Sequence, residues 1–424
     1  MDLNFKKKIL KGPHYNAESR LRQNFKKKIL PNGMTILFEK RNLPVISIVF
    51  AVRNGGVNES VSEKGISHFI EHMLYKGTKN RTAKEITSEI EKNGGVLNGF
   101  TDDNMTAYWC KMPSKHLGLA LDVLGDVVKN PLFDEVEFEK ERKVIFEEIK
   151  MCKDNPARHS FDEIQKLLYE GTMGSSLIGT YKTMNSISKQ DLVKKFKETY
   201  TPNNLILCVV GNAKLDEIVK FAEDNFGNQK GIVPKQKIIL KNAEKTEKRK
   251  GIDQASLVFA YHVPNSKDEK NYAAQVLITL MAEGMSSRLF QEIREKKNLA
   301  YAIKGGAEIT KDYGHSFIYV GTMKENVEKV KKLIIEEFGK VAKDFGEEEL
   351  NEIKTQMIGN YQIGMEDSQE QMSHLIYKEV DGDAKEFYEY EEKISKVELE
   401  DVKELAKKAS EKFSFFALVP SEKD

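Results

Sequence analysis

The segment from Gly65 to Tyr75 carries histidine and glutamate side chains at a spacing that suits metal-assisted hydrolysis. His68 and His72 are four residues apart, so on a helix they lie on one face and can direct imidazole nitrogens to a single ion. Zinc accepts such nitrogens at ~2.0–2.1 Å. Glu71 lies beside them and could take a proton from a water that the metal acidifies. The alternative interpretation is a chance match on the polar face of a helix.

A second segment places carboxylates among apolar residues. After Asp134, a helical period puts Phe138, Glu141, Ile145 and Glu148 on one stripe. A carboxylate in such surroundings is costly unless it is paired or bound to a cation. Because two histidines, one carboxylate and a water make a catalytic zinc site, we predict Glu148 as the third ligand and Glu141 as a partner that orients a histidine or a water. A pair of buried salt bridges is the alternative.

The stretches around these residues resemble one peptidase family. His-x-x-Glu-His is the inverzincin order. GISHFIEHMLYKGT, followed by EKERKVIFEEIKM with Glu148 lying 76 residues after His72, resembles the pitrilysin/insulinase family, in its short-chain branch of mitochondrial-processing-peptidase-like enzymes. The resemblance extends from ~24 to ~420. It implies one zinc ion per chain, held by His68, His72 and Glu148, with Glu71 as the catalytic base and Glu141 as a supporting carboxylate.

The resemblance also implies substrate contacts. GGVLNGFT is similar to the family's substrate-binding edge strand, with Asn98 as a group that clamps the peptide backbone, although the family usually has alanine at the position of Gly99. In SSRLFQEIREKKNLAYAI, Arg294 and Tyr301 have the seven-residue spacing of the family's pair that contacts the substrate carbonyl and stabilises the transition state. Without the resemblance, an ordinary structural role is the simpler reading of Arg294 and Tyr301. For Asn98, an ordinary turn or strand asparagine is the alternative.

Composition narrows the class of protein. Lys+Arg (67) and Asp+Glu (66) nearly cancel, which disfavours nucleic-acid binding as the main task. No apolar run of ~18 residues is present, so we expect no membrane span. The three cysteines, Cys110, Cys152 and Cys208, are widely spaced and predict neither a disulfide framework nor a cysteine-rich metal site, which suits a reducing, cytoplasmic setting.

The pattern along the 424 residues predicts an α+β fold. We expect two similar α/β-sandwich halves, each a mostly antiparallel sheet with helices packed on it. The predicted organisation is an appended or duplicated segment that repeats NFKKKIL (1–23), a catalytic zinc-binding domain (24–225), a Lys/Glu/Gln-rich linker (226–250) and a second homologous domain that contributes substrate contacts (251–424). Helices are expected at ~65–76, ~82–93, 134–152 and 347–380, among others, and VLNGFT and MTAYWCKM are expected to form a hairpin.

These features together predict a zinc endopeptidase that acts on short or unfolded peptides. Enzymes of the family enclose peptides in a chamber of four such domains, so the resemblance implies a homodimer or a pairing with a paralogous subunit. A non-catalytic or partner-dependent subunit of a processing peptidase is the main alternative, and another kind of zinc hydrolase is a third.

Overall fold

A computed structural model describes residues 24–421. The predicted segment 1–23 lies outside the described residues. The strands are β1 (Phe25–Ile29), β2 (Thr35–Lys40), β3 (Val45–Val52), β4 (Val96–Thr101), β5 (Thr106–Pro113), β6 (Leu205–Gly211), β7 (Glu244–Arg249), β8 (Ala255–His262), β9 (Ala300–Ile309), β10 (Gly314–Thr322) and β11 (Ser414–Pro420).

The helices between these strands are mostly short. They are α1 (Ile66–Leu74), α2 (Ala83–Glu91), α3 (Leu117–Lys129), α4 (Glu135–Asp154), α5 (Pro156–Leu168), α6 (Tyr181–Ser186), α7 (Lys189–Thr199), α8 (Leu215–Asn225), α9 (Asn271–Ala282), α10 (Val327–Asp344), α11 (Glu347–Gly364), α12 (Ser368–Asp381), α13 (Tyr390–Ser395) and α14 (Leu399–Glu411). A seven-residue π-helix, Phe290–Lys296, precedes β9.

Two sheets organise these elements. The first has the order β1-β2-β6-β3-β5-β4 and the second the order β7-β11-β8-β10-β9. In the first sheet only β2 and β6 pair in parallel, and in the second only β7 and β11 do. The predicted α+β class with two mostly antiparallel sheets is therefore confirmed.

Each sheet has helices packed on both faces, and on one face of each sheet a helix comes from the other half of the chain. Alternate residues of the first sheet pack against its own helices α1, α3, α4, α7 and α8. Its opposite face packs against Met372, Leu375 and Ile376 of α12, which belongs to the second half. Reciprocally, Ile164 and Leu168 of α5 in the first half pack on the second sheet. The two halves therefore share apolar cores, and burial on both faces explains the continuous apolar runs of β3 and β6.

Two boundaries differ from the sequence expectation. The last part of the predicted 226–250 linker is strand β7, whose Lys/Glu-rich sequence suits an exposed sheet edge. The helix expected over 347–380 is two helices, because Asp367 begins a new one by accepting the N–H of Gln369 at 2.7 Å.

Among the described residues, no helix combines the length and apolar character needed to cross a bilayer. The cysteines at 110, 152 and 208 are all free.

Candidate metal centre

Helix α1 presents an apolar face to the first sheet and a polar face away from it. Ile66, Phe69, Ile70 and Met73 are fully buried, and Phe69 stacks on Phe138 of α4 with ring centroids 4.8 Å apart. This packing holds α1 against α4. As the spacing predicted, His68, Glu71 and His72 then share the opposite face, turned toward the carboxylates of α4.

The three predicted zinc ligands converge. His68 Nε2 and His72 Nε2 each lie 3.6 Å from Glu148 Oε2, and all three ligand atoms lie within 4.8 Å of one another. Ligands ~2.0–2.1 Å from a tetrahedral zinc ion are separated by about 3.4 Å. The donor set and its spacing therefore fit zinc. Within residues 24–421 this is the one group of histidine, cysteine and carboxylate side chains with metal-ligand spacing.

Glu141 fixes the orientation of His72. Its Oε2 lies 3.0 Å from His72 Nδ1, and its Oε1 lies 2.7 Å from Lys76 Nζ. Burial alone would raise the pKa of Glu141, but the bonds from His72 and Lys76 lower it. An ionised carboxylate accepts, so the proton of His72 resides on Nδ1 and the Nε2 lone pair faces Glu148.

The two histidines differ in their surroundings. Burial lowers the pKa of His68 to about 3, and the neighbouring His72 adds to the effect, so His68 is a neutral imidazole at neutral pH and can donate a lone pair to a metal. For His72, burial alone would lower the pKa, but the hydrogen bond to Glu141 and the charges of Glu148 and Glu71 raise it. The surroundings therefore shift the pKa values of the two histidines in opposite directions.

Glu71 is held by the end of strand β4. Thr101 Oγ1 donates to Glu71 Oε2 at 2.7 Å. Burial raises the pKa of Glu71, and the bond from Thr101 offsets part of that rise. A carboxylate with a raised pKa, next to a metal-ligand cluster, is suited to accept a proton.

The edge strand β4 lies against α1, and its alternation decides which side chains reach the site. Gly99 and Thr101 point toward α1, since a Cβ added at Gly99 would lie 3.0 Å from Tyr75 Oη. The glycine that departs from the family pattern thus makes room for Tyr75. Asn98 is exposed, and its Oδ1 accepts the N–H of Gly99. The predicted role of Asn98 in clamping a peptide stays a prediction.

Arg294 and Tyr301 lie in the second half of the chain. The Arg294 guanidinium lies over the ring of Phe290, 4.8 Å from its centroid, and the half-exposed Tyr301 packs beside Gly321. Within the described part of the chain, neither side chain has a hydrogen bond, ion pair or ring contact with the cluster. Their predicted contact with a substrate carbonyl stays a prediction.

A cavity of about 740 Å³ opens beyond the end of β4. Asp102 and Asp103, the residues after Thr101, line it from the first half, and Glu308 and Asp381 line it from the second. Burial raises the pKa of Asp102 to about 6, and burial followed by repulsion from Asp103 raises that of Glu308 to about 8. The cavity therefore brings carboxyl groups of both halves together, directly after the strand that carries Thr101.

Glu59 is a positioning residue that the sequence analysis missed. Its fully buried carboxylate accepts the N–H groups of Gly65 and Ser67 at 3.0 and 2.8 Å, at the beginning of α1. Lys64 Nζ lies 3.7 Å from it. A carboxylate at a helix N-terminus stabilises the helix, but Glu59 lies too far before α1 for a capping pattern to reveal it. Thr101 was also missed, although the alternation of β4 places it on the α1 side.

Two family models match this chain. Residues 35–181 match the model described as insulinase (peptidase family M16), and residues 186–357 match the model described as peptidase M16 inactive domain. The first range contains His68, His72 and Glu148, and the second contains Arg294 and Tyr301.

Relatives and solved structures agree with these matches. The chain is 33% identical over 356 residues to an uncharacterized zinc protease of Rickettsia felis, covering 82% of this chain and 85% of that one. It is also 33% identical over 348 residues to the uncharacterized zinc protease YmxG of Bacillus subtilis, covering 81% and 85%.

In fold, the chain is similar to a protease from Helicobacter pylori, with a TM-score of 0.87, 22% identity, and 93% and 99% of the two chains covered. A peptidase M16 inactive domain from Pseudomonas fluorescens gives a TM-score of 0.84 at 18% identity, covering 94% and 98%. By its family models and its relatives, this chain belongs to the insulinase family, peptidase family M16.

Proposed function

We propose that the chain is a zinc-dependent endopeptidase that hydrolyses short or unfolded peptides in an enclosed chamber. The observation that carries the proposal is the convergence of His68 Nε2, His72 Nε2 and Glu148 Oε2 at zinc-ligand spacing, with Glu71 on the same helix. One zinc ion per chain would be held by these three side chains. The zinc protease names of the relatives support this choice of metal.

The chemistry follows from the positions of the side chains. Zinc, when bound, supplies Lewis-acid chemistry that polarises a carbonyl and makes water more acidic. Glu71 accepts a proton from the attacking water, whose oxygen bonds to the carbonyl carbon. The carbon–nitrogen bond then breaks, and Glu71 passes its proton to the leaving amine. Thr101 orients Glu71 through its hydrogen bond, and Glu141 orients His72.

The free edge of β4 is the proposed binding place of the substrate. An extended peptide can add there as a further strand, so that backbone hydrogen bonds give affinity and pockets select side chains. Asn98 on this strand is proposed to contact the peptide backbone. Thr101, at the end of the same strand, donates a hydrogen bond to Glu71. A peptide that pairs along β4 would therefore pass next to the proposed catalytic base.

Arg294 and Tyr301 are proposed to donate to the oxyanion that develops on the substrate carbonyl. Tyr301 is 49% exposed and the Arg294 side chain 44% exposed, so both are available to a peptide. We propose that a homodimer, or a pair with a paralogous subunit, brings such groups to the site. The nearby exposed Met285 and Met323 are apolar surface that such an interface would bury.

The second candidate function is a non-catalytic or partner-dependent subunit of a processing peptidase complex. The observation that favours it is that, among residues 24–421, neither Arg294 nor Tyr301 contacts a side chain of the histidine cluster.

The test is cleavage of a mixed library of unstructured peptides, with products identified by mass spectrometry. We expect cleavage that a chelator stops and zinc restores. Glu71→Gln is expected to lower kcat by about 10²–10⁴-fold while zinc stays bound, whereas Glu147→Gln, an exposed neighbour of Glu148, is the matched control. No cleavage by zinc-loaded protein would reject the self-sufficient enzyme, and recovery on adding a paralogous chain would support the second candidate.

A further inference from the structure

Beside the cavity that both halves line, one tyrosine hydroxyl meets a carboxyl group from each half. Tyr313 lies just before β10 and is 3% exposed. Its Oη lies 3.3 Å from Oδ2 of Asp103, in the loop after β4, and forms a second hydrogen bond with Oε1 of Glu308, on β9. The first and second halves of the chain are therefore joined by the series Asp103, Tyr313 and Glu308.

The number of protons in this series limits which forms of the carboxyl groups it can hold. A tyrosine hydroxyl carries one proton and donates one hydrogen bond, and an ionised carboxylate only accepts. Two ionised carboxylates would therefore compete for the single proton of Tyr313. Both contacts are hydrogen bonds when one carboxyl group is protonated and donates to Tyr313 Oη, while Tyr313 donates to the other.

The groups around Asp103 favour its ionised form. Gln165 Nε2, on α5, donates to Asp103 Oδ2 at 3.2 Å. Lys64 Nζ and Asp103 Oδ1 lie 2.8 and 2.7 Å from one point, the place that a Cβ on Gly56 would occupy, so the ammonium group is near this carboxyl group. Burial raises the pKa of Asp103, and the charge of Lys64 and the bonds from neighbouring side chains oppose that rise. Asp103 is therefore the better acceptor for the proton of the tyrosine.

The surroundings of Glu308 favour its protonated form. Its side chain lines the cavity and is 44% exposed, so protons can reach it from the cavity. Burial of the carboxyl group between the halves, followed by repulsion from Asp103, raises its pKa to about 8. The bond from Tyr313 opposes this rise, and the charges of Asp102 and Asp381 add to it. Glu308 is therefore the member of the series that keeps a proton at neutral pH.

The basic groups near Glu308 do not offset these carboxyl groups. His315 Nε2 lies 3.8 Å from Glu308 Oε2, but burial lowers the pKa of His315 to about 3, so this imidazole is neutral. Lys378 lines the cavity, and its Nζ lies 3.9 Å from Glu386 Oε2. Further ionisable groups that line the cavity or interact electrostatically with Glu308 are Tyr169, Glu283, His374, Tyr377 and Tyr390.

We infer that Asp103, Tyr313 and Glu308 form a proton-dependent clasp between the two halves, in which Glu308 holds the proton. Loss of this proton leaves two carboxylates competing for one hydroxyl proton. The loop after β4 and the turn between β9 and β10 then separate, and the cavity opens. The clasp involves neither zinc nor a peptide, so it is independent of the proposed function.

Hydrogen–deuterium exchange of the full zinc-loaded chain tests the clasp. Glu308→Gln is compared with the unaltered chain at each pH, so that the chemical exchange rates cancel. The amide of glutamine donates to Tyr313 Oη at every pH. The reporters are the N–H groups of Val57 and Thr310, which donate to the backbone carbonyl oxygens of Asp103 and Tyr313, each at 2.8 Å.

Rising pH is expected to favour separation in the unaltered chain, because Glu308 binds its proton more tightly in the joined state than in the separated state. The exchange rate of Val57 and Thr310, relative to that in Glu308→Gln, is expected to rise at least about tenfold from about pH 6 to about pH 8. The same ratio is expected to stay constant in α8, which does not line the cavity. Glu325→Gln, at an exposed position of the second half, is the matched control and is expected to follow the unaltered chain.

Asp103→Asn tests the pairing of the two carboxyl groups without altering Glu308. It removes the charge that repels ionised Glu308, so the rise with pH is expected to be smaller than in the unaltered chain. A ratio at Val57 and Thr310 that does not change with pH would overturn the inference. An equal rise in Asp103→Asn and the unaltered chain would also overturn it, as would a rise of the same size in α8, since the whole chain would then be losing stability.

Discussion

Replacing Glu141 by glutamine is expected to weaken zinc binding although all three ligands remain. The Glu141 side chain is 7% exposed and holds His72 Nδ1 at 3.0 Å. A hydrogen bond to a charged group contributes ~1.5–3 kcal/mol, and glutamine keeps an acceptor but loses the charge. Loss of such a partner of a ligand histidine costs about 10–100-fold in metal affinity, which corresponds to ~1.4–2.8 kcal/mol. Lys76 is one-third exposed and can turn to solvent, so the substitution leaves no buried cation unpaired.

The measurement is the zinc dissociation constant, obtained by competition with a chromophoric chelator. Glu147→Gln is the matched control, because it makes the same change at an exposed position of α4. Unfolding by urea in the presence of chelator separates a loss of zinc affinity from a loss of fold. A Glu141→Gln dissociation constant within about threefold of the control would refute the view that Glu141 prepares His72 for the metal.

Three further predictions concern groups around the site. Thr101→Val removes the bond that stabilises ionised Glu71, so the pKa of Glu71 rises and the acid limb of the kcat/KM profile moves to higher pH; a shift to lower pH would contradict this. Glu59→Gln weakens the charged bonds to the first turn of α1 and is expected to lower the free energy of unfolding by about 1–3 kcal/mol, measured by urea denaturation in chelator. Leu375→Ala opens a cavity between α12 and the first sheet and is expected to cost about 2–5 kcal/mol. Because the halves share this core, the fluorescence transition of Trp109 in the first half would shift, and an unshifted transition would show that the halves unfold independently.

Much of the fold was predictable because local patterns agree with the tertiary environment. The apolar runs of β3 and β6 are buried on both faces, and the Gly94-Gly95 pair follows α2 as expected. The exchange of α5 and α12 between the halves was not predictable. An apolar helix face shows that something must cover it, but not which sheet does so.

The sequence by itself determined the part of the metal centre that lies within single helices. The spacing of His68, Glu71 and His72 places them on one helical face, because a residue and those three and four positions further along lie on the same side of an α-helix. The apolar stripe of α4 also predicted that Glu141 and Glu148 are directed inward, since burial of an unpaired carboxylate is costly.

Only the tertiary structure decided how these pieces meet. The packing of α1 on α4 brings Glu148 close to the imidazoles of both His68 and His72. The same packing allows Glu141 to form a hydrogen bond with His72. The end of β4 brings Thr101 to Glu71, and the segment that precedes α1 folds back so that Glu59 meets the beginning of the helix. These contacts join residues that are 6 to 80 positions apart. The packing of helices and strands determines which of these residues meet. The helical and strand periodicity of the sequence does not specify these pairs.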